Sequence, residues 1–137
     1  MIYFTSDTHF NHDKEFCWKI RGFNSVEEMN ETIKNNWNNI VTEEDEVYLL
    51  GDVMLGDYQK GINIVSQLKG KIHIILGNHC TQNRIALYQT LPNVVEIVYS
   101  TLIKIGKQPT NIPKKSIGRN FLFSWQMIVF DKRHFPE

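Results

Sequence analysis

Apolar residues fall in short blocks along the chain, and each block ends abruptly in small or polar residues. Ile2 to Ser6 is the first, a run that includes aromatics and predicts a buried strand, with a polar loop from Asp7 to Lys14 behind it. The period then changes. Val26, Met29, Ile33, Trp37 and Ile40 recur at helical spacing, and Ser25 with Glu28 three places on predicts a capping box at the helix start. An acidic loop, Glu43 to Glu46, leads into Val47-Tyr48-Leu49-Leu50, a second strand running into Gly51-Asp52. Tyr58 to Leu68 predicts a second helix, interrupted by Gly61 and stopped at Gly70. Lys71 to Leu76 is a third strand, ending at Gly77-Asn78-His79. Thr81 to Leu91 predicts a third helix, which Pro92-Asn93 breaks, and Val94 to Tyr99 with Thr101 to Ile105 predict a pair of strands.

Strands alternating with helical patterns predict an α/β domain whose parallel strands are covered by crossover helices. At 137 residues the chain fits a single domain, 1–137. Its regime changes after Gly106. Lys107 to Asn120 has no periodicity and carries prolines and basic residues, so an exposed loop or linker is expected, with one or two strands following in Phe121 to Phe130.

Composition narrows the classes. An apolar fraction of 42% with 22% charged residues is that of a soluble globular chain. No apolar run approaches the roughly 20 residues that span a bilayer, and the start lacks the basic and apolar regions of a signal peptide. Cys17 and Cys80 make neither a disulfide framework nor a C-x-x-C pair, so a cytoplasmic location is expected and a membrane partner is not. The zero net charge is unevenly spread: residues 1–103 hold 8 Lys/Arg against 13 Asp/Glu, and residues 104–137 hold 7 against 2. That basic tail lacks the aromatic interleaving of a nucleic-acid module, so nucleic acid is not the favoured partner.

The chemistry collects where strands end. In open α/β sheets ligands bind at the carboxyl ends of the strands, and there the sequence places Asp7-Thr8-His9, Gly51-Asp52 and Gly77-Asn78-His79. Carboxylate, imidazole and amide oxygen form a mixed donor set suited to Mn, Fe or Zn. Gly51 and Gly77 remove a side chain beside each group, letting backbone approach a metal or phosphate. Two cations about 3.5–4 Å apart would polarise a phosphoryl group and acidify a water, with Asp52 as the central bridging acid and a nearby histidine protonating the leaving oxygen. Singly, each motif is ordinary turn chemistry. Three in order, each directly after a predicted strand, make a candidate site. His12 and Arg21 are candidate substrate contacts, Arg21 through a bidentate guanidinium; both are equally explained as solvated loop residues, which is the favoured reading for Arg21.

These three motifs, with their spacing, resemble the calcineurin-like metallophosphoesterases over roughly residues 1 to 105. The resemblance implies a mixed β-sandwich flanked by helices, with two divalent metal ions at the strand ends. It implies Asp7 and His9 as ligands of one ion, Asp52 as the bridge, and Asn78 as a ligand of the other, with His79 as the general acid. The substrate class implied is a phosphate mono- or diester, nucleotides among them. His134, in His134-Phe135-Pro136, resembles a further ligand of the second metal. The pattern departs from the family at three places. Cys80 stands where an acid usually follows Gly-Asn-His, no Gly-His-x-His occurs, and residues 107–137 diverge. The expectation is therefore a domain incomplete at its C-terminus. Two functions stay open: metal-dependent ester hydrolysis, and a truncated, inactive relative that binds metal or phosphate weakly or serves as an interaction module.

Overall fold

The first three strands lie side by side and in step, so their carboxyl ends finish on one edge. In this computed structural model, which describes residues 1–105, 108–112 and 128–130, β1 (Ile2–Ser6), β2 (Glu46–Leu50) and β3 (Lys71–Ile75) run parallel, with Ser6 opposite Leu50 and Leu50 opposite Ile75. β4 (Val94–Val98) continues the parallel set beyond β3, with a register shift at Ile72/His73. On the other side of β1, β7 (Ile128–Phe130) pairs antiparallel. The sheet order is β4-β3-β2-β1-β7.

Alternation along the strands divides the sheet into two faces. Tyr3, Val47, Leu49, Ile72 and Ile74 pack with Trp37, Val41, Ile62, Val65, Leu68 and Tyr88 from the helical segments and their ends. Those helices are α2 (Val26–Ile40), α3 (Tyr58–Val65) and α4 (Gln82–Tyr88), and a short α1 (Glu15–Trp18) precedes them. Ile2, Phe4, Tyr48 and Ile75 form a second buried cluster from the opposite face. His73 belongs to that face too. Its ring stacks on Tyr48 at 4.3 Å and its Nδ1 lies 3.0 Å from Glu96 Oε2, so it is a packed strand residue.

The helix starts are locally specified. Ser25 Oγ accepts from the Glu28 amide at 3.1 Å, while Glu28 Oε2 reaches back to the amide of Asn24, one residue before the position a regular capping box uses. Asp57 caps α3 through the Lys60 amide, which makes it helix-start chemistry. Trp37 joins the core and donates its Nε1–H to Lys69 O at 2.9 Å.

The expected β-sandwich is not what the chain forms. The described strands make one mostly parallel sheet and a separate two-stranded hairpin of β5 (Thr101–Ile105) and β6 (Gln108–Ile112), so the architecture is α/β with helices on a sheet. The predicted pairing of the fourth and fifth runs fails for the same reason. β4 is hydrogen-bonded to β3, whereas β5 turns back on β6. β6 also occupies part of the segment expected to be a loop, and Pro109 sits in it opposite Lys104. A hairpin pair has only edges, where a residue without an N–H is tolerated. No helix among the described residues is long and apolar enough to cross a membrane. His134 and most of the divergent tail lie outside the described residues.

Candidate metal centre

Beyond their last paired residues, β1 and β2 stay zipped together. His9 N–H donates to Asp52 O at 3.0 Å, Phe10 N–H to Val53 O at 2.9 Å, and Leu55 N–H to Phe10 O at 2.9 Å. The buried Thr8 hydroxyl adds a bond to Val53 O at 2.8 Å. Asp7, His9 and Asn11 each take positive φ, at 48°, 50° and 59°. Asp, His and Asn are the non-glycine residues that most readily adopt this conformation, at a cost of roughly 1–3 kcal/mol each. This bend explains how Asp7 and His9, two residues apart, turn toward one place. Asn11 secures it with two donated bonds: its amide N–H donates to Asn30 Oδ1 at 2.9 Å, and its Nδ2 to Asp57 O at 3.1 Å.

Asp7, His9 and Asp52 come together. One donor atom from each lies within 4.8 Å of the others. His9 Nε2 is 3.5 Å from Asp52 Oδ2, an ion-pair distance too long for a hydrogen bond, and Nε2 is buried with no hydrogen-bond partner. Gly51, at φ +90°, passes directly beneath Asp7 Oδ1, which a Cβ there would meet at 3.5 Å. Gly77 is tighter still, because a Cβ would overlap Asp52 Oδ1 and come within 2.9 Å of the Asp52 amide nitrogen. A buried imidazole nitrogen without a partner, facing two carboxylates, is the donor set of a hard-to-borderline divalent cation.

The electrostatics are coupled. Burial is the largest single influence on His9 and pushes its pKa down. The pull of the Asp52 carboxylate, helped by Cys17, outweighs it, and the imidazole is raised to about 9. Burial likewise pushes the Asp52 carboxyl up, but His9, the His79 amide and the charge of both rings hold it below the usual carboxylate range. His12 is lowered, first by burial and then by repulsion from His9.

Arg21 is not a solvated loop residue. It donates to Asp7 O at 3.0 Å and to Thr8 O at 3.1 Å, and its Nη2 lies 3.1 Å from His9 Nδ1. Guanidinium only donates, so that last contact belongs to the neutral ring. When the ring proton resides on Nδ1, Arg21 keeps its two carbonyls, and Cys17 Sγ, 4.0 Å from Nδ1, lies on that side. His9, His12 and Cys17 form a second grouping of donors. The guanidinium beside His9 Nδ1 repels a cation there, so the Asp7-His9-Asp52 grouping is the stronger metal candidate. His12 stands edge-on to His9 at 5.5 Å and to the exposed Phe16 at 5.4 Å.

The third motif approaches from β3. His79 N–H donates to Asp52 Oδ1 at 3.2 Å, and its ring Nε2 is 4.0 Å from Asp52 Oδ2, with the side chain 55% exposed. Asn78 is exposed in the same turn and makes no side-chain hydrogen bond among the described residues. Cys80 Sγ accepts from the Gly77 amide at 3.3 Å, so the thiol braces the turn. Sequence reading missed Arg84, whose Nη1 donates to His79 O. An arginine in the first turn of a predicted helix was the available signal. A cleft of about 390 Å³ lined by Glu43, Gly70, Lys71 and Pro92 opens at the amino end of β3, away from this chemistry.

Comparison with known proteins adds kinship without chemistry. An uncharacterized protein of Methanocaldococcus jannaschii is 46% identical over 80 residues, covering 57% of this chain and 46% of that protein. The Gene 66 protein of Mycobacterium phage L5 is 35% identical over 81 residues, covering 56% of this chain and 38% of that protein. The matches thus span less than half of either relative's length. No protein-family profile matches the chain. A crystal structure of a protein of unknown function from Aquifex aeolicus superposes with a TM-score of 0.61 at 24% identity, covering 82% of this chain and 59% of that one. That likeness speaks to the fold alone.

Proposed function

We propose that this chain is a metal-dependent phosphoesterase domain acting on a phosphate mono- or diester. The observation that carries the reading is the convergence of Asp7, His9 and Asp52 from two adjacent strand ends around a buried, unpartnered His9 Nε2. Asp7 and His9 would hold one divalent cation, with Asp52 shared toward a second that Asn78 and His134 would complete. What Mn, Fe or Zn supplies at such a place is polarisation of a phosphoryl oxygen and a more acidic water. The chain's own groups do the rest. Asp52 fixes the His79 amide, and the exposed His79 imidazole is free to hand a proton to the departing oxygen. The resemblance to calcineurin-like metallophosphoesterases supports the same assignment of roles.

Purified protein should hydrolyse a generic aryl phosphate ester when Mn is added, and Asp52→Asn should abolish that turnover. Equal activity in wild type and variant would refute the assignment.

Cys80 favours a second reading, a metal- or phosphate-binding module without turnover. Its thiol is bonded to the Gly77 amide, and a thiol is a poor substitute for the carboxylate that orients a catalytic imidazole. Cation binding with no hydrolysis of any ester would select this reading.

A further inference from the structure

Arg84 is placed against its own chemistry. It occupies the first turn of α4, with its amide on the Thr81 cap, where the helix dipole disfavours a cation. It is buried at 9% exposure, no carboxylate pairs with it among the described residues, and its Nε has no hydrogen-bond partner. A buried, unpaired charge is costly. Local rules broken together in this way mark functional positions.

What Arg84 does hold is specific. Its Nη1 donates to His79 O, and its guanidinium lies 4.9 Å over the ring of Tyr58, the first residue of α3. A charge-assisted bond to the carbonyl and a cation–π contact are the two compensations. His79 is therefore fixed at both of its main-chain polar groups: the N–H by Asp52 Oδ1 and the carbonyl by Arg84. The two bonds hold its backbone in place, while more than half of its side chain is exposed.

We propose that Arg84 is a positioning residue that sets the His79 imidazole for proton delivery to the leaving group, an inference resting on the phosphoesterase reading. The described side-chain contacts of Arg84 are the His79 carbonyl and the Tyr58 ring, and neither is a candidate metal ligand group. Removing Arg84 changes proton delivery and leaves cation binding through Asp7, His9 and Asp52 as it is.

The test compares wild type, Arg84→Met and Arg84→Lys on a 4-nitrophenyl diester and an alkyl diester, with amide hydrogen exchange read on the same proteins. A good leaving group needs no acid, whereas a poor one does. Arg84→Met should lose at least about tenfold more kcat on the alkyl ester than on the nitrophenyl ester, with KM and bound Mn unchanged. Arg84→Lys should restore part of the loss. The His79 amide should exchange at least about tenfold faster in Arg84→Met while β3 amides keep their protection. Equal losses on both esters, or unchanged exchange at His79, would overturn the proposal. If wild type cleaves neither ester, the phosphoesterase reading falls and takes the leaving-group role with it, and the exchange data then report only whether Arg84 holds the loop.

Discussion

His9 Nε2 faces Asp52 Oδ2 across 3.5 Å, close enough to attract and too far to bond. The two side chains leave β1 and β2 one peptide apart in register, and the main chain between them is tied by the His9 amide on Asp52 O. Much of the site's behaviour follows from this gap.

The first consequence concerns pH. In cation-free protein His9 is raised to about 9, so near neutrality a cation must displace a proton. Mn affinity measured from pH 6.5 to 9 should rise by about tenfold per unit and level off above 9. The linkage to stability runs the other way. A histidine raised above its ordinary 6.5 contributes fully below that value, and the contribution is lost as pH rises through about 9. Asp52, held low, contributes above the ordinary carboxyl value and loses its contribution as pH falls. Urea unfolding of cation-free protein should therefore show the pair's stabilisation greatest between those limits, and flat stability from pH 7 to 9.5 would contradict it.

Gly77 is the second test. A Cβ there meets the Asp52 carboxylate and two backbone atoms at 2.9 Å, none of which is a flexible end. Gly77→Ala should destabilise by about 1–3 kcal/mol, the usual cost of overpacking, and should weaken cation binding by displacing Asp52. Denaturant midpoints and calorimetry read the two effects separately.

Arg21 gives the third. It clamps the carbonyls of Asp7 and Thr8 beside two residues at positive φ. Without it the bend should relax and the candidate ligands should part. Arg21→Met should lose about 10–100-fold in cation affinity, the range for groups that support metal ligands, with little change in circular dichroism. A direct role on substrate instead would leave cation affinity intact and raise KM.

The β1, β2 and β3 strands and the three main helices were legible because each is a short apolar block with a clear stop: Ser6 into Asp7, Leu50 into Gly51, Ser25 before Val26. The convergence of Asp7, His9 and Asp52 was legible for the same reason, since these groups are the stops. Pairing was not, because β4 and β5 carry similar apolar patterns and nothing local says that one joins β3 and the other β6. The sandwich expectation came from the resemblance, and partner choice among strands overturned it. Arg21 and Arg84 were opaque because their value lies in carbonyls contacted across a turn, which side-chain type alone does not encode. The positive φ at Asp7 and His9 is a tertiary result of zipping to Asp52 and Val53, which no local pattern encodes.

Calorimetric titration of Mn into wild type and into Asp52→Asn tests the central claim most directly. Wild type should bind saturably and the variant at least about tenfold more weakly, since the proposal makes Asp52 a ligand. Identical isotherms for the two proteins, or no binding by wild type, would contradict it.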